Sequence, residues 1–200
     1  MTITIEMVKE LREATGAGVL DAKKALEAAN GNFEVAVDAL RKKGAARAAK
    51  KADRAANEGS IEVYSHLANR VGVMVEVNCE TDFVARNEQF QEMAHDIALH
   101  IAAMAPKYLT REEVPAGDLE RELDVLRDQA RAEGKPENIV EKIVEGRVDK
   151  FYAETCLMEQ PFVKDEKKKI SQLVTEAIQT LGENIVIRRF VRYELGESLD

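Results

Sequence analysis

The spacing of hydrophobic residues changes near residue 80, and this change limits the possible folds more than any other feature. Valine occupies every second position from Val71 to Val77, a pattern typical of a strand with one buried face. Apolar residues then recur at helical spacing from Phe90 to Met104, and Pro106 ends that segment. A long helix must therefore pack on a small sheet, which favours an α+β fold.

The rest of the C-terminal part agrees with this interpretation. Alternating apolar residues predict strands near 59–66, 70–79 and 184–195, the first two joined by a hairpin turn at 68–70. Helical periodicity predicts further helices over 118–133, 137–154 and 170–181. We therefore predict an α+β core domain over residues 59–200, with helices packed on an antiparallel sheet.

Residues 1–44 have only helical patterns and predict a bundle of three short helices. The first helix ends at Thr15–Gly18 and the second at Asn30–Gly31. Asn32 caps the third, and Gly44 is expected to end it. Residues 45–58 are rich in alanine and lack large apolar side chains, so they predict a solvated linker helix.

Four basic residues in this linker fall on one face of the predicted helix: Arg47, Lys50, Lys51 and Arg54. Such a stripe either contacts an acidic surface or nucleic acid, or is a solvated face. The second interpretation is favoured because no aromatic residue is interleaved. Residues 1–54 carry 11 basic and 8 acidic side chains, whereas the other 146 residues carry 18 and 29.

The net charge of −8 argues against nucleic acid as a partner. Two distant cysteines exclude a disulfide scaffold, make a zinc site improbable and favour a reducing compartment. The N-terminal segment does not resemble a signal peptide, and the best apolar run is too short to cross a membrane. We therefore expect a soluble cytoplasmic protein.

Little in the sequence indicates catalysis. His95 and His100 point about 140° apart on a helix and cannot share a metal ion. Cys79 with His66 on the neighbouring strand is conceivable as a nucleophile, but a thiol on an apolar strand favours a small buried hydrophobe. No phosphate-binding glycine loop is present. We predict neither an enzyme nor a cofactor.

The corner between the valine strand and the long helix combines a possible helix cap, a carboxylate and a large aromatic side chain. Thr81 can cap a helix, and Asp82 suits a helix N-terminus electrostatically. Phe83 precedes Phe90 by seven residues, so it either extends the buried stripe or projects from the corner. Spacing alone leaves both alternatives open.

Two segments of the chain resemble signatures of the translation elongation factor Ts family. The first runs from Leu11 to Leu26 and the second from Glu76 to Arg86, and the similarity continues through ENIVIRRFVRYELGE near the end. The resemblance implies a bundle similar to ubiquitin-associated domains and a guanine-nucleotide exchange factor for elongation factor Tu. It also implies which residues contact Tu: Arg12, Val19, Leu20 and Lys23 in the bundle, and Thr81, Asp82, Phe83 and Val84 at the corner.

Within this resemblance, Asp82 and Phe83 enter beside the nucleotide and magnesium site of Tu as a wedge. Long members of the family contain two copies of the core subdomain, whereas this chain has one strand–TDFV–helix segment. The resemblance therefore implies a homodimer. The alternative function is a non-enzymatic binding module that recognises another protein through the bundle alone.

Overall fold

The computed structural model describes residues 3–198, which form eight α-helices and five β-strands. The helices are α1 (Ile5–Thr15), α2 (Val19–Ala28), α3 (Phe33–Ala49), α4 (Asp82–Ala85), α5 (Glu88–Met104), α6 (Ala116–Ala132), α7 (Glu137–Thr155) and α8 (Ile170–Leu181). The strands are β1 (Glu58–His66), β2 (Val71–Cys79), β3 (Pro161–Phe162), β4 (Asp165–Lys169) and β5 (Val186–Glu194). The prediction of an α+β fold is confirmed.

A three-stranded antiparallel sheet in the order β1-β2-β5 forms the centre of the C-terminal part. The alternating valines of β2 are buried and pack with α5 and α8 in one hydrophobic cluster. The opposite face of the sheet is left uncovered and carries a row of exposed apolar side chains: Ile61, Val63, Met74, Val191 and Tyr193. One face of the sheet therefore forms the core, and no element within residues 3–198 covers the other.

The N-terminal helices α1, α2 and α3 enclose a small core of their own, which includes Leu11, Leu26 and Leu40. Asn32 caps α3 by accepting a hydrogen bond from the amide of Val35 at 3.1 Å. Gly16 ends α1 with a positive φ of 64°, which suits a residue without a side chain. The similarity of this bundle to ubiquitin-associated domains stays a prediction.

The predicted end of the third helix at Gly44 is wrong, because α3 continues to Ala49. Gly44 is buried, and a Cβ atom there would overlap the side-chain amide of Gln179 on α8. The glycine thus allows close packing of two helices instead of ending one. Of the expected linker helix over 45–58, only 45–49 are helical, as the end of α3; turns follow at 50–53 and β1 begins at Glu58. The division into domains at 44 and 59 stays a prediction.

Helices α6 and α7 form a hairpin with a separate small cluster of buried residues: Leu126, Ala130, Val140 and Val144. Ion pairs join the two helices along their length, among them Arg127 with Glu141 and Arg147 with Glu133. The sequence does not predict the short hairpin of β3 and β4, because its residues are mostly charged and lack alternation.

Candidate functional site

The Thr81–Val84 turn displays one large apolar side chain at the corner between β2 and α5. Thr81 caps α4, with its hydroxyl accepting a hydrogen bond from the amide of Val84 at 3.4 Å. Ala85 is buried against the core, whereas Phe83 is 81% exposed. A phenylalanine exposed to this degree gains little from folding, so its apolar surface is available for contact with a partner.

The structure decides between the two alternatives for Phe83. Helix α4 ends at Ala85, and α5 begins separately after Asn87, whose side chain caps it through the amide of Gln89 at 2.9 Å. The break turns Phe83 away from the stripe that starts at the fully buried Phe90. Phe83 therefore projects from the corner.

Asp82 adds a carboxylate directly beside this aromatic side chain. It forms an ion pair with Arg86 at 2.9 Å, in which both side chains are largely exposed. Such exposed pairs contribute between zero and about 1 kcal/mol, so a partner can break this one at small cost. The corner thus presents an apolar ring and an anionic group together.

The backbone at the base of the turn is held by a residue more than 100 positions away. One carboxylate oxygen of Glu183 accepts hydrogen bonds from the amides of Glu80 and Thr81, both at 3.0 Å. The other oxygen accepts the hydroxyl of Thr81 at 2.7 Å. In return, Glu80 accepts the amide of Asn184 at 2.6 Å. The sequence gives no sign of this role for Glu183, since no local pattern connects it to Thr81.

The residues expected to contact a partner from the bundle lie at the start of α2. Val19 is 55% exposed and Leu20 is 73% exposed, both in the first turn. Lys23 follows one turn later in a loose, exposed ion pair with Glu27 at 3.8 Å. Arg12 lies in the last turn of α1 and is exposed. The start of α2 thus exposes two apolar side chains and one basic one, and the end of α1 exposes a second basic side chain.

Asp21 does not belong to this exposed surface, because it joins α2 to α3. Its carboxylate pairs with Lys43 at 2.7 Å and with Arg47 at 2.9 Å. The hydrogen bond from Lys43 is the main reason that the pKa of Asp21 is lowered. The exposed patch on α2 is therefore fixed to the bundle by an ionic contact on its other side.

The four basic residues after the bundle do not share a helix face, contrary to prediction. Arg47 pairs with Asp21, and Lys51 donates a hydrogen bond to the carbonyl of Gly182. Arg54 pairs with Glu80 at 3.4 Å, while Lys50 is the exposed C-cap of α3. The expectation of a merely solvated face is wrong for three of the four: Arg47 joins α3 to α2 within the bundle, whereas Lys51 and Arg54 contact residues 182 and 80 near the corner.

The cysteine and histidine residues considered for catalysis are either far apart or buried in the core. In the β1–β2 hairpin, Cys79 lies opposite Glu58 and His66 lies opposite Val71, about 26 Å apart along the strands. Burial raises the pKa of the Cys79 thiol. His100 is buried and contacts Gln160 at 2.9 Å and the amide of Val163 at 3.2 Å. Burial also lowers the pKa of His100.

Neither a metal centre nor a membrane span is evident in residues 3–198. No group of three or more His, Cys, Asp or Glu residues in this part is arranged to hold a metal ion. Within the same residues, no helix has the length and apolar character needed to cross a membrane. The corner and the start of α2 thus expose the apolar side chains that are expected from the sequence to contact a partner.

Comparison with known proteins shows which family this chain belongs to. The family model described as Elongation factor TS matches residues 6–197. The protein named Elongation factor Ts from Geobacter sulfurreducens is 59% identical over 200 residues, covering 100% of this chain and 93% of the relative. Its namesake from Geobacter metallireducens is 59% identical, covering 100% and 92%. The Elongation factor Ts of Syntrophomonas wolfei is 57% identical, covering 99% and 92%.

Proposed function

The chain belongs to the elongation factor Ts family of translation elongation factors, and we propose that it is the guanine-nucleotide exchange factor of elongation factor Tu. In this role it binds GDP-loaded Tu in the cytoplasm, promotes release of the GDP and leaves Tu free to bind a new nucleotide. It forms and breaks no covalent bond and needs no cofactor of its own.

The observation that carries the proposal is the exposed Phe83 next to Asp82 on a turn with a fixed base. Burying a phenylalanine side chain contributes about 1.5–3 kcal/mol. If the pocket for Phe83 is open only when the nucleotide site of Tu is distorted, this energy favours the distorted state. A gain of that size corresponds to roughly a 10- to 100-fold change in rate.

Asp82 would contribute through its charge. A carboxylate brought close to the phosphates of GDP repels them, and it also competes for the surroundings of the bound magnesium ion. Linkage requires the effect to be reciprocal: if the factor weakens binding of GDP, GDP weakens binding of the factor by the same ratio. Release of either ligand is then assisted by the other, as a cycling exchange factor requires.

The start of α2 would contribute affinity for Tu and would not distort the nucleotide site. Val19 and Leu20 offer apolar area, and Lys23 and Arg12 offer positive charge at its edge. Interfaces commonly combine an apolar centre with a polar rim. We assign binding of Tu to this patch and opening of its nucleotide site to the corner.

We also propose that two copies of the chain pair through the uncovered face of the sheet. Its exposed apolar side chains include Ile61, Val63 and Met74, and Glu76 in their midst pairs with Arg189 at 2.7 Å and with Arg188 at 3.6 Å. A largely apolar sheet face can pack on a copy of itself, as in sheet sandwiches. Light scattering at micromolar concentration should give a dimer, and Val63→Lys should give a monomer; a monomeric wild-type protein would contradict this pairing.

The exchange function is tested with Tu that carries fluorescent GDP and an excess of unlabelled GDP. Adding the chain should accelerate the loss of fluorescence in proportion to its concentration until the rate saturates. If the chain binds Tu but leaves the rate unchanged, it is a non-enzymatic binding module that recognises Tu without opening its nucleotide site. That result would overturn the proposal.

A further inference from the structure

The carboxylate of Glu183 lies in the corner between α8 and β5 and contacts the base of the Thr81–Val84 turn. It uses both oxygens on one short segment, accepting the amides of Glu80 and Thr81 and the hydroxyl of Thr81 at 2.7–3.0 Å. Hydrogen bonds to an ionised acceptor are shorter and stronger than those between neutral groups. Glu183 thus fixes the backbone just before α4 at three points.

This support is needed because α4 is too short to hold its own direction. It has four residues, far fewer than an isolated helix needs for stability, and it rests on the core through the buried Ala85 and the partly buried Val84. Phe83 is 81% exposed and receives no packing that could fix its orientation. The direction of the Phe83 side chain therefore depends on the backbone at Thr81.

The same end of α8 also contacts the N-terminal bundle. The hydroxyl of Thr180 lies 3.2 Å from the carbonyl oxygen of Gly16, in the loop that precedes α2, and shares its single proton between that oxygen and the carbonyl oxygen of Glu176 at 2.9 Å. Lys51 donates to the carbonyl of Gly182, directly before Glu183. One short segment, residues 180–184, therefore contacts the chain before each of the two surfaces assigned to Tu.

We infer that Glu183 is a positioning residue for nucleotide exchange, which holds the Thr81–Val84 turn at the angle that the start of α2 requires. The inference rests on the proposed function, since it assumes that both surfaces bind Tu at once. If the turn is free to change its angle, the chain still binds Tu through α2. Phe83 then reaches its pocket in a smaller fraction of the encounters. Loss of Glu183 should thus lower the maximal rate more than the affinity.

The first experiment separates these two quantities by titrating variants into Tu with fluorescent GDP. Glu183→Ala should lower the saturating rate of GDP release at least tenfold and change the half-saturating concentration less than threefold. Glu183→Gln keeps an oxygen for the two amides and should recover a rate within threefold of wild type. Glu113→Ala is the matched control, because Glu113 also accepts a backbone amide, that of Leu109 at 3.1 Å, at a distant loop.

The second experiment needs no Tu. The sequence contains no tryptophan, so Phe83→Trp places a single indole at the tip of the turn. In that background, Glu183→Ala should lower the fluorescence anisotropy of the indole, whereas Glu113→Ala should leave it unchanged. Circular dichroism confirms that each variant is folded.

The two experiments distinguish the possible failures. A wild-type chain that does not accelerate GDP release contradicts the proposed function, and the anisotropy then still decides whether Glu183 orients the turn. A folded Glu183→Ala variant with a saturating rate within twofold of wild type overturns the positioning role. So does an unchanged anisotropy of the indole.

Discussion

The two surfaces assigned to Tu are supported in different ways. Val19 and Leu20 lie on a helix of ten residues that packs into its own small core and is tied to α3 through Asp21. Phe83 lies on a single helical turn, and a side chain from a distant loop secures the backbone before it. The first surface is supported by its own helix and the small core beneath it, whereas the second is supported by the Glu183 carboxylate, the Thr81 cap and the packing of Val84 and Ala85.

This difference suggests that the surface on α2 binds the partner and that the turn with Phe83 inserts into it. A surface on a stable helix suits repeated binding, because its shape does not depend on the partner. A turn with few internal contacts suits insertion, because it can leave its pocket when the nucleotide returns. If this is correct, substitutions in the two regions should change different kinetic quantities.

The largest effect is expected from Phe83→Ala. It should lower the saturating rate of GDP release by roughly 10- to 100-fold, the equivalent of the 1.5–3 kcal/mol that a buried phenylalanine contributes. The free energy of unfolding should change by less than about 0.5 kcal/mol, since the side chain is 81% exposed. Stopped-flow fluorescence and urea unfolding measure the two quantities.

Phe90→Ala is the control for this prediction. Phe90 is fully buried, so its removal should cost roughly 3–5 kcal/mol of stability. A folded Phe83→Ala variant that releases GDP at the normal rate would remove the corner from the mechanism.

A smaller effect is expected from Val19→Ala. Loss of two carbon atoms from a buried contact costs at most about 1.6 kcal/mol, so the half-saturating concentration should rise three- to tenfold. The saturating rate should stay within twofold of wild type. Val35→Ala is the matched control, because Val35 is 53% exposed in the first turn of α3, compared with 55% for Val19. Equal effects of both substitutions would argue against a specific patch on α2.

Acid should lower the free energy of unfolding of the core part, because His100 is buried there. Its pKa is lowered by burial, so below about pH 6.5 the unfolded chain binds a proton that the folded chain resists, and stability falls. The expected loss is at most about 1.4 kcal/mol per pH unit. Urea unfolding between pH 7.0 and 5.5 should show this slope, His100→Asn should remove it, and His95→Asn should retain it. A slope unchanged in His100→Asn would assign the effect to another group.

The smallest effect concerns Asp21, which fixes α2 in the bundle. Its pKa is lowered, so its ion pairs contribute stability above the unfolded pKa of about 3.9 and lose it as the pH falls through the folded value. Asp21→Asn should cost about 1 kcal/mol or less at pH 7. Thermal unfolding should show that the difference from wild type shrinks progressively once the pH falls below about 3.9. A difference that persists there would point to packing instead of charge.

The long periodic elements can be predicted from sequence because each has a buried face along its whole length. The valines of β2 and the stripe of α5 give clear periods, and the predicted bounds of α8 agree with those in the structure. The prediction at Gly44 is wrong because a glycine that ends a helix and one that lets two helices approach are identical in sequence. Only the position of Gln179 on α8 distinguishes them.

The candidate site is predictable only in part. Capping by Thr81 follows from local sequence, and the structure confirms it. The exposure of Phe83 does not follow, because its spacing from Phe90 fits both a buried and a projecting side chain. The contact between Thr81 and Glu183 joins residues 102 positions apart and leaves no periodic trace in the sequence.

The α6–α7 hairpin has a consequence for how the molecule opens. Its small cluster is separate from the main core, and several Arg–Glu pairs on its surface supplement that cluster. Exposed ion pairs weaken as salt rises, while the large apolar cluster under the sheet does not depend on them. Amide hydrogens of 116–155 should therefore exchange with deuterium before those of α5, and sooner still in concentrated salt. We expect the hairpin to unfold and refold as a unit while the sheet beneath Phe83 stays intact.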